Sequence, residues 1–262
     1  MSEGRVVAEK DKSLGRVIFD NIKKHNAMSQ AMWDQLAAAM QFFDKEDDIR
    51  VVVLEGAGEK SFVSGADISK FESERSDSSR IKEYGVSVER AYSAVQFAIK
   101  PTIAKIDGYC YGGGMGIAVC ADLRICSENS SFCIPAAKLG VGYGHANTKV
   151  LLDLVGPAFT KEIFYTGRRF SSQEALNMGL VNCIQRQGEL DQYVANYVEV
   201  ISNNAPLSVR ATNLIVNELL KDEEERDDAF CRKLVEDCSD SQDIEEGRRA
   251  FMEKRRPMFV GH

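Results

Sequence analysis

The segment Lys100–Phe132 reads KPTIAKIDGYCYGGGMGIAVCADLRICSENSSF, and its pattern predicts the order of elements around which the chain is organised. An apolar run at Thr102–Ile106 predicts a strand that ends in a turn at Asp107–Gly108. Glycines 112–114 then open a helix of small residues over about Met115–Ala121. Such glycines expose backbone N–H groups to an anionic ligand, although a glycine triplet is equally compatible with a tight turn and close helix packing.

A second glycine loop, SFVSGADI at Ser61–Ile68, follows the strand-like Val51–Leu54. If each loop supplies one backbone N–H to the same oxygen atom, the two loops together form an oxyanion hole. The closely spaced glycines 112–116 do not match the G-x-G-x-x-G pattern of dinucleotide-binding folds, and no acidic ribose partner follows at the usual spacing. A nucleotide-dependent oxidoreductase is therefore disfavoured.

Composition sets limits on the partners of the protein. The chain has 262 residues, of which 44% are hydrophobic, so it can bury a sizeable core. Its formal net charge of −7 argues against nucleic acid or an anionic membrane as the main partner, because both are bound by distributed Lys and Arg. No apolar run is long enough to span a membrane, and three histidines with scattered cysteines form no metal-ligand set.

The seven cysteines show neither a paired framework nor a C-x-x-C motif. The chain starts with the polar segment MSEGRVVAEKDK and shows no apolar signal segment there. We therefore expect free thiols and a location in the reducing cytoplasm.

Hydrophobic periodicity predicts an α/β (α+β) chain with a helical C-terminal part. A hairpin is expected over Val6–Glu9 and Gly15–Phe19, and the charged segment Glu72–Lys82 is expected to be a mobile surface excursion. We divide the chain into a core, residues 1–200, and a C-terminal helical region, residues 201–262. Ser131–Ile134 is predicted to be a short strand. Helices are predicted over Gln30–Phe43, Arg80–Ala98, Asn147–Val155, Pro157–Tyr165, Ser171–Met178, Leu190–Asn203, Leu207–Leu220, Glu224–Cys238 and Gln242–Glu253.

The two glycine motifs, FVSGADISKF at Phe62–Phe71 and IDGYCYGGGMGIAVCADLRIC at Ile106–Cys126, together resemble the signature of the crotonase, or enoyl-CoA hydratase/isomerase, family. NIKKHNA at Asn21–Ala27, the FYTGRRFSSQEALNMGLVN segment at Phe164–Asn182 and the terminal AFMEKRRPMF extend the resemblance over nearly the whole chain. It implies a crotonase-like spiral of ββα units, with C-terminal helices that form a trimer or a dimer of trimers. It also implies a coenzyme A thioester as substrate and no prosthetic group.

Carried over by motif, the oxyanion-hole donors are the backbone N–H groups of Ala66 and Gly113. Hydratases of this family also use two glutamates as general base and acid. The corresponding positions hold Gly116 and Ala136 here. Since neither residue can hold or move a proton, standard hydratase activity is in doubt.

Replacement proton carriers are sought near the missing second glutamate, in GVGYGH at 140–145. Tyr143 is similar to a tyrosine of the methylmalonyl-CoA decarboxylase-like branch, and His145 has a pKa range suited to proton transfer. Each is weighed against a packing or solvated role. Gly144 takes the place of the aspartate found in the dehalogenase-like and dienoyl-isomerase-like branches, which argues against both. Asp67 and Asp122 are interpreted as residues that bond the local backbone.

Coenzyme A contacts are also implied by the resemblance. The family places the turn after Asn21, the GAD loop and a C-terminal aromatic and lysine around the cofactor, the last two often across a subunit boundary. A lysine expected at the position of Ser69 is displaced to Lys70 here. The implied cofactor contacts are Lys24, His25, Ala27, Ala66, Asp67, Ile68, Lys70, Phe251 and Lys254.

Three functions remain open at this point. The first is an acyl-CoA enzyme that stabilises a thioester enolate without the glutamate pair. The second is a small-acyl-CoA decarboxylase that uses Tyr143, and the third is an acyl-CoA-binding protein without catalytic activity. The acyl group is not defined by the sequence.

Overall fold

The computed structural model describes residues 3–70, 74 and 77–262. Its larger sheet begins with an antiparallel hairpin and continues with parallel strands, in the order β1-β2-β3-β5-β7-β10. These strands are β1 (Arg5–Asp11), β2 (Leu14–Asp20), β3 (Val51–Gly56), β5 (Thr102–Ile106), β7 (Leu123–Ser127) and β10 (Cys183–Gln185). The first five residues of β3 are buried, as expected for a strand covered on both faces.

A second, smaller sheet has the order β4-β6-β8-β9, in which the last pair is antiparallel and the others are parallel. Its strands are β4 (Ser61–Val63), β6 (Tyr109–Tyr111), β8 (Ser131–Cys133) and β9 (Phe170–Ser171). In each successive pair, β3–β4, β5–β6 and β7–β8, the first strand joins the larger sheet and the second joins the smaller one. The repeated pairs, each followed by a helix, make the spiral of ββα units that the resemblance implied.

The helices of the described residues follow the pairs and then dominate the C-terminal part. Short 3-10 turns occur at Ile22–Lys24, Ile68–Lys70 and Glu223–Glu225. The α-helices are α1 (Gln30–Lys45), α2 (Ser78–Gln96), α3 (Gly113–Cys120), α4 (Ala136–Leu139), α5 (His145–Thr166), α6 (Ser172–Asn177), α7 (Leu190–Ser202), α8 (Pro206–Leu219), α9 (Asp228–Ser239) and α10 (Gln242–Glu253).

Most predicted elements are confirmed, with shifts that have local causes. Helix α3 begins two residues earlier than predicted, because Gly112 turns the chain with a φ of 50° just before it. The two helices predicted on either side of residue 156 form one run that is interrupted at Gly156, where φ is 75°. Residues 72, 73, 75 and 76 of the predicted mobile segment lie outside the described residues. Residues 78–82 are helical, not irregular, because the Asp77 carboxylate caps the first turn of α2.

The elements that sequence periodicity missed are short. β6 and β10 have three residues each and α4 has four, so none of them completes a period that a pattern search detects. β7, LRICS, is longer, but four of its residues are buried and no alternation shows which face is inside. Such strands are specified by their neighbours in the sheet.

The C-terminal tail folds back onto helix α10. Asp243, which is buried, accepts hydrogen bonds from Val260 N at 2.7 Å and Gly261 N at 3.0 Å. Glu246 accepts from Met258 N and pairs with Arg255, which lowers the pKa of the Glu246 carboxyl. Two carboxylates on one helix therefore fix the tail by its backbone.

No helix within the described ranges is long and apolar enough to cross a membrane.

All seven cysteines are free thiols, as predicted, and four of them are buried. Burial raises the pKa of Cys120 and of Cys126 to about 12, and it raises the pKa of Cys110 and Cys133 as well. The thiolate is the form of cysteine that reacts with disulfide reagents. These four thiols should therefore react slowly, because they are inaccessible to solvent and stay protonated.

We therefore expect a water-soluble disulfide reagent to label at most three thiols of the native protein at neutral pH. These are Cys183, Cys231 and Cys238, which are partly exposed. Unfolding in denaturant should release all seven. Labelling counted by intact-mass measurement checks this, and rapid native labelling of Cys110 or Cys126 would contradict the burial described above.

Candidate active site

The two glycine loops lie next to each other because the strands before them are neighbours. β4 and β6 pair in parallel, with Ser61 opposite Tyr109, so the loops that follow them leave the same edge of the smaller sheet. A Cβ atom placed on Gly112 would lie 3.7 Å from Gly65 Cα, and one placed on Gly65 would lie 3.9 Å from Gly113 N. The main chains of the two loops are therefore close enough to share one ligand atom.

The N–H groups of Ala66 and Gly113 are the two donors predicted from the motifs. Ala66 forms an isolated parallel bridge with Met28, in which Met28 N donates to Gly65 O and Asp67 N donates to Met28 O, each at 2.8 Å. Both hydrogen bonds of this bridge are made by the backbone of Gly65 and Asp67, so the bridge does not use the N–H group of Ala66. Gly113 is the first residue of α3, where an N–H has no partner within the helix. Across the described residues, neither N–H has a recorded hydrogen-bond acceptor.

Aromatic side chains pack against the start of α3. The Trp33 and Tyr92 rings meet edge to face at 5.3 Å, and Trp33 Nε1 donates to the Tyr84 hydroxyl at 2.9 Å. The Tyr92 hydroxyl donates to the Gly113 carbonyl at 3.2 Å. A Cβ placed on Gly113 would lie 2.9 Å from Trp33 Cζ2, so glycine is needed there for α3 to approach this ring. We call Trp33, Tyr84 and Tyr92 the aromatic cluster.

The resemblance places the two hydratase glutamates at positions 116 and 136, and the unaltered chain leaves no room for a side chain at position 116. A Cβ placed on Gly116 would overlap the Tyr92 hydroxyl oxygen and lie 2.5 Å from Tyr92 Cζ. Ala136 is buried as the first residue of α4, directly after Pro135. Tyr92 thus fills the volume into which a side chain at 116 would extend.

Of the two candidate proton carriers, Tyr143 lies beside the glycine loops, whereas His145 is exposed to solvent. A Cβ on Gly112 would lie 3.9 Å from the Tyr143 hydroxyl, and the Tyr143 ring meets the Phe164 ring edge to face at 5.1 Å. His145 is exposed in the first turn of α5, and no hydrogen bond to it is recorded within the described part of the chain. The geometry therefore favours Tyr143 over His145.

Lys24 and Asp67 form an ion pair beside the loops. Lys24 Nζ lies 2.7 Å from Asp67 Oδ2 and donates to Ser69 Oγ at 2.7 Å, while Ser69 N and Oγ both donate to Asp67 Oδ1. Burial acts to raise the pKa of the Asp67 carboxyl, but the hydrogen bonds from Lys24 and Ser69 outweigh it and lower that pKa. The backbone bond to Ser69 confirms the local role expected of Asp67, and the ion pair adds a partner that the sequence did not indicate.

Replacement of Asp67 by Asn is expected to destabilise the fold by about 1 kcal/mol at neutral pH, since the partner ammonium is 44% exposed and partly screened by water. A carboxyl whose folded-state pKa is lowered stabilises the fold above its unfolded pKa of about 3.9, and this contribution disappears as pH falls through the folded-state value. The difference in unfolding free energy between the two proteins should therefore shrink below about pH 4. Urea unfolding over a pH series tests this, and a constant difference would contradict it.

The other implied cofactor contacts are divided between two regions of the molecule. His25 has a left-handed backbone with φ of 52° and meets the Tyr109 ring at 5.8 Å, and Lys70 pairs with Glu3. Ala27 is buried, whereas Ile68 is exposed. All of these lie on the loops around Lys24 and Asp67.

Phe251 and Lys254 belong to the second region, at the end of α10. Phe251 is 82% exposed, and it borders a largely apolar groove of about 550 Å³ between α8, α9 and α10. Lys254 ends the helix with a φ of 53°. Among the described residues of one chain, no hydrogen bond between backbone groups joins these two residues to the loops around Lys24.

Sequence reasoning missed two kinds of residue. Asn26 is buried, with Nδ2 donating to Ala57 O and Ser61 O, and Oδ1 accepting from Asn21 N, so it holds the His25 turn against β4. The aromatic cluster was missed as a part of the site.

In the described residues, no group of three or more His, Cys, Asp or Glu side chains could hold a metal ion.

Comparisons with known proteins agree over the full length. A family model described as enoyl-CoA hydratase/isomerase matches residues 9–262. The chain is 30% identical over 256 residues to the short-chain-enoyl-CoA hydratase of Clostridium acetobutylicum, with 98% of this chain and 97% of that protein covered. It is 32% identical over 243 residues to the carnitinyl-CoA dehydratase of Salmonella typhi, with 91% and 92% covered. The fold matches the crystal structure of an enoyl-CoA hydratase/carnithine racemase from Magnetospirillum magneticum with a TM-score of 0.91, at 29% identity and with 100% and 97% covered.

Proposed function

The chain belongs to the enoyl-CoA hydratase/isomerase family, and from this premise we propose that it is an enzyme that holds an acyl-CoA thioester carbonyl between the N–H groups of Ala66 and Gly113. The observation that carries the proposal is the close approach of two glycine loops whose N–H groups have no recorded acceptor among the described residues. When electrons reach the α carbon, the carbonyl becomes an enolate, and each such donor typically contributes about 3 to 4 kcal/mol to its stabilisation.

The reaction proposed for this site is one in which the enolate forms without proton removal by glutamate. Gly116 and Ala136 supply no carboxylate, so neither activation of water nor protonation of the α carbon has its usual catalyst. Standard hydration of enoyl thioesters is therefore not the proposed activity. The groups left to the site are the two N–H donors and the phenol of Tyr143.

Decarboxylation of a small carboxyacyl-CoA is the specific alternative that Tyr143 favours. The bond between the α carbon and the carboxylate breaks, its electron pair enters the enolate, and carbon dioxide leaves. A proton from water or from the Tyr143 hydroxyl then returns to the α carbon, so that atoms and charge balance. The position of that hydroxyl next to Gly112 supports this reaction. A protein that only binds acyl-CoA is the remaining alternative.

Coenzyme A is proposed to lie along Lys24, His25, Ala27, Asp67, Ile68 and Lys70, with Phe251 and Lys254 supplied by a neighbouring subunit. Two observations support a trimer or a dimer of trimers. Phe251 is largely exposed, and the groove that it borders between the C-terminal helices is mainly apolar. Residues 1–200 would then be the catalytic core and residues 201–262 the assembly region, in a cytoplasmic enzyme with reduced thiols. A monomer of 29.1 kDa in light scattering would contradict the assembly.

The test is a panel of acyl-CoA thioesters with two measurements on the same samples. Free coenzyme A and acetyl-CoA should raise the melting temperature, because a ligand of the native state stabilises it by mass action. Mass detection then reports conversion, and loss of carbon dioxide from a carboxyacyl-CoA would identify the decarboxylase. Tyr143→Phe should slow that step while the shift in melting temperature is kept. No shift with any thioester at millimolar concentration would exclude the proposed function.

A further inference from the structure

Tyr92 occupies the place of a catalytic side chain without being able to replace it. Its hydroxyl lies against α3, donating to Gly113 O at 3.2 Å and overlapping the position of a Cβ on Gly116. The residue is 4% exposed, on a helix that packs along α1 and α3. The large side chain of Tyr92 therefore fills the space beside Gly113 and Gly116, and the proposed reaction gives it no role.

Proton transfer is not the role that these surroundings favour. Burial, with the nearby Tyr143 phenol as a further cause, raises the pKa of Tyr92 well above its ordinary value of 10. The phenol therefore stays neutral through the physiological range, and its O–H group already donates a hydrogen bond to the Gly113 carbonyl. The property through which Tyr92 can act is therefore the volume of its ring, which packs edge to face against Trp33.

The ring lies beside Gly113, the residue proposed to hold the thioester carbonyl. Gly113 N–H is one of the two proposed donors, and a Cβ on the same residue would lie 3.6 Å from the Tyr92 hydroxyl. Gly116, one turn further along α3, faces the ring directly. An acyl chain that is held at Gly113 and extends along this face of α3 would meet Tyr92.

We propose that the ring of Tyr92 closes the acyl end of the site and restricts the enzyme to short acyl groups. This inference rests on the proposed function, because it takes the carbonyl to be held at Gly113. Acetyl- and butyryl-CoA should bind more tightly than octanoyl-CoA, whose longer chain finds no apolar space. Tyr92 is thereby a residue that determines specificity through size, and its hydroxyl is dispensable for that purpose.

The experiment compares the affinities of acetyl-, butyryl- and octanoyl-CoA by calorimetry for four variants and the unmodified protein. Tyr92→Ala and Tyr92→Leu remove the ring. Tyr92→Phe keeps the ring and removes only the hydroxyl. Phe43→Leu is the matched control, because Phe43 is a fully buried aromatic on α1 that packs on Gly15, away from α3. If the alanine variant does not fold, the leucine variant carries the test.

The preference for octanoyl- over acetyl-CoA is expected to rise in the alanine and leucine variants, by about fourfold for each methylene group that becomes buried. It should stay unchanged in Tyr92→Phe and in Phe43→Leu. Two results would overturn the inference while the function stands: thioesters bind but the preference is the same without the ring, or Tyr92→Phe alone changes it. If no thioester binds to any of the proteins, including the unmodified one, the proposed function fails and the inference falls with it.

Discussion

Hydration of crotonyl-CoA by the unmodified protein is expected to be slower than that by the Clostridium acetobutylicum hydratase by about a hundred- to ten-thousand-fold for each missing carboxylate. The physical reason is that water attack needs a base and the α carbon needs an acid. The two proposed oxyanion donors, Ala66 N–H and Gly113 N–H, supply neither. Loss of the absorbance of the conjugated enoyl thioester, followed side by side for both proteins at equal concentration, measures the difference.

Binding of crotonyl-CoA, measured separately from its hydration, is the control for this comparison. A protein that binds crotonyl-CoA yet does not hydrate it has a formed site without the proton carriers, whereas one that binds nothing has no site to test. Brisk hydration would contradict the prediction and would require a substitute proton carrier. Tyr143→Phe, His145→Gln and Asp67→Asn would then identify it, and Asp67 would need to leave its ion pair with Lys24 to act.

The sequence was sufficient for the parts of the site that depend on local pattern. The strand, glycine loop and helix at 102–120 were predicted because turns, glycines and apolar runs are local signals. Adjacency of the two loops followed from the resemblance, and the parallel pairing of β4 with β6 explains it. The family and the α/β class were predicted correctly for the same reason, since the motifs lie on these loops.

The parts that depend on packing between distant segments were not accessible. Tyr92 and Gly116 meet across two helices, α2 and α3, and no spacing rule connects them. The helix predicted over Arg80–Ala98 was assigned from its periodicity, which does not show what the Tyr92 side chain contacts. A glycine in place of a glutamate was interpreted as a chemical loss alone. The structure shows that the Tyr92 ring takes the space that a side chain at position 116 would fill.

The same limit applies to charges. Lys24 and Asp67 were both implied as cofactor contacts, and Asp67 was also expected to bond its own loop. Their ion pair was not predicted, because a sequence pattern does not show that two charged residues far apart in the chain are adjacent. In the structure Lys24 and Asp67 are 2.7 Å apart, and the carboxylate is 5% exposed. A phosphate that binds Lys24 must therefore share the ammonium with Asp67, which weakens the contact unless the pair rearranges.

Restoring a carboxylate at position 116 is expected to fail unless Tyr92 is made smaller at the same time. In Gly116→Glu the new Cβ overlaps the Tyr92 hydroxyl and lies 2.5 Å from Cζ, and the ring is held by Trp33 and by its bond to Gly113 O. Overpacking of this kind costs about 1 to 3 kcal/mol. The Gly116→Glu variant should therefore melt at a lower temperature than the unmodified protein. Neither this variant nor the double variant Gly116→Glu with Ala136→Glu should gain hydratase activity.

Combining Tyr92→Ala with Gly116→Glu and Ala136→Glu removes the clash and supplies both proton carriers. Crotonyl-CoA hydration should then exceed that of Tyr92→Ala alone by about a hundredfold or more. Unfolding free energies of the 92 and 116 variants should be non-additive, since a cavity at one residue accommodates the side chain at the other. Tyr92→Ala alone and Ala136→Glu alone are the controls. A Gly116→Glu variant as stable as the unmodified protein would show that the Tyr92 ring does not limit the space at this position, because a side chain at 116 would then fit beside it.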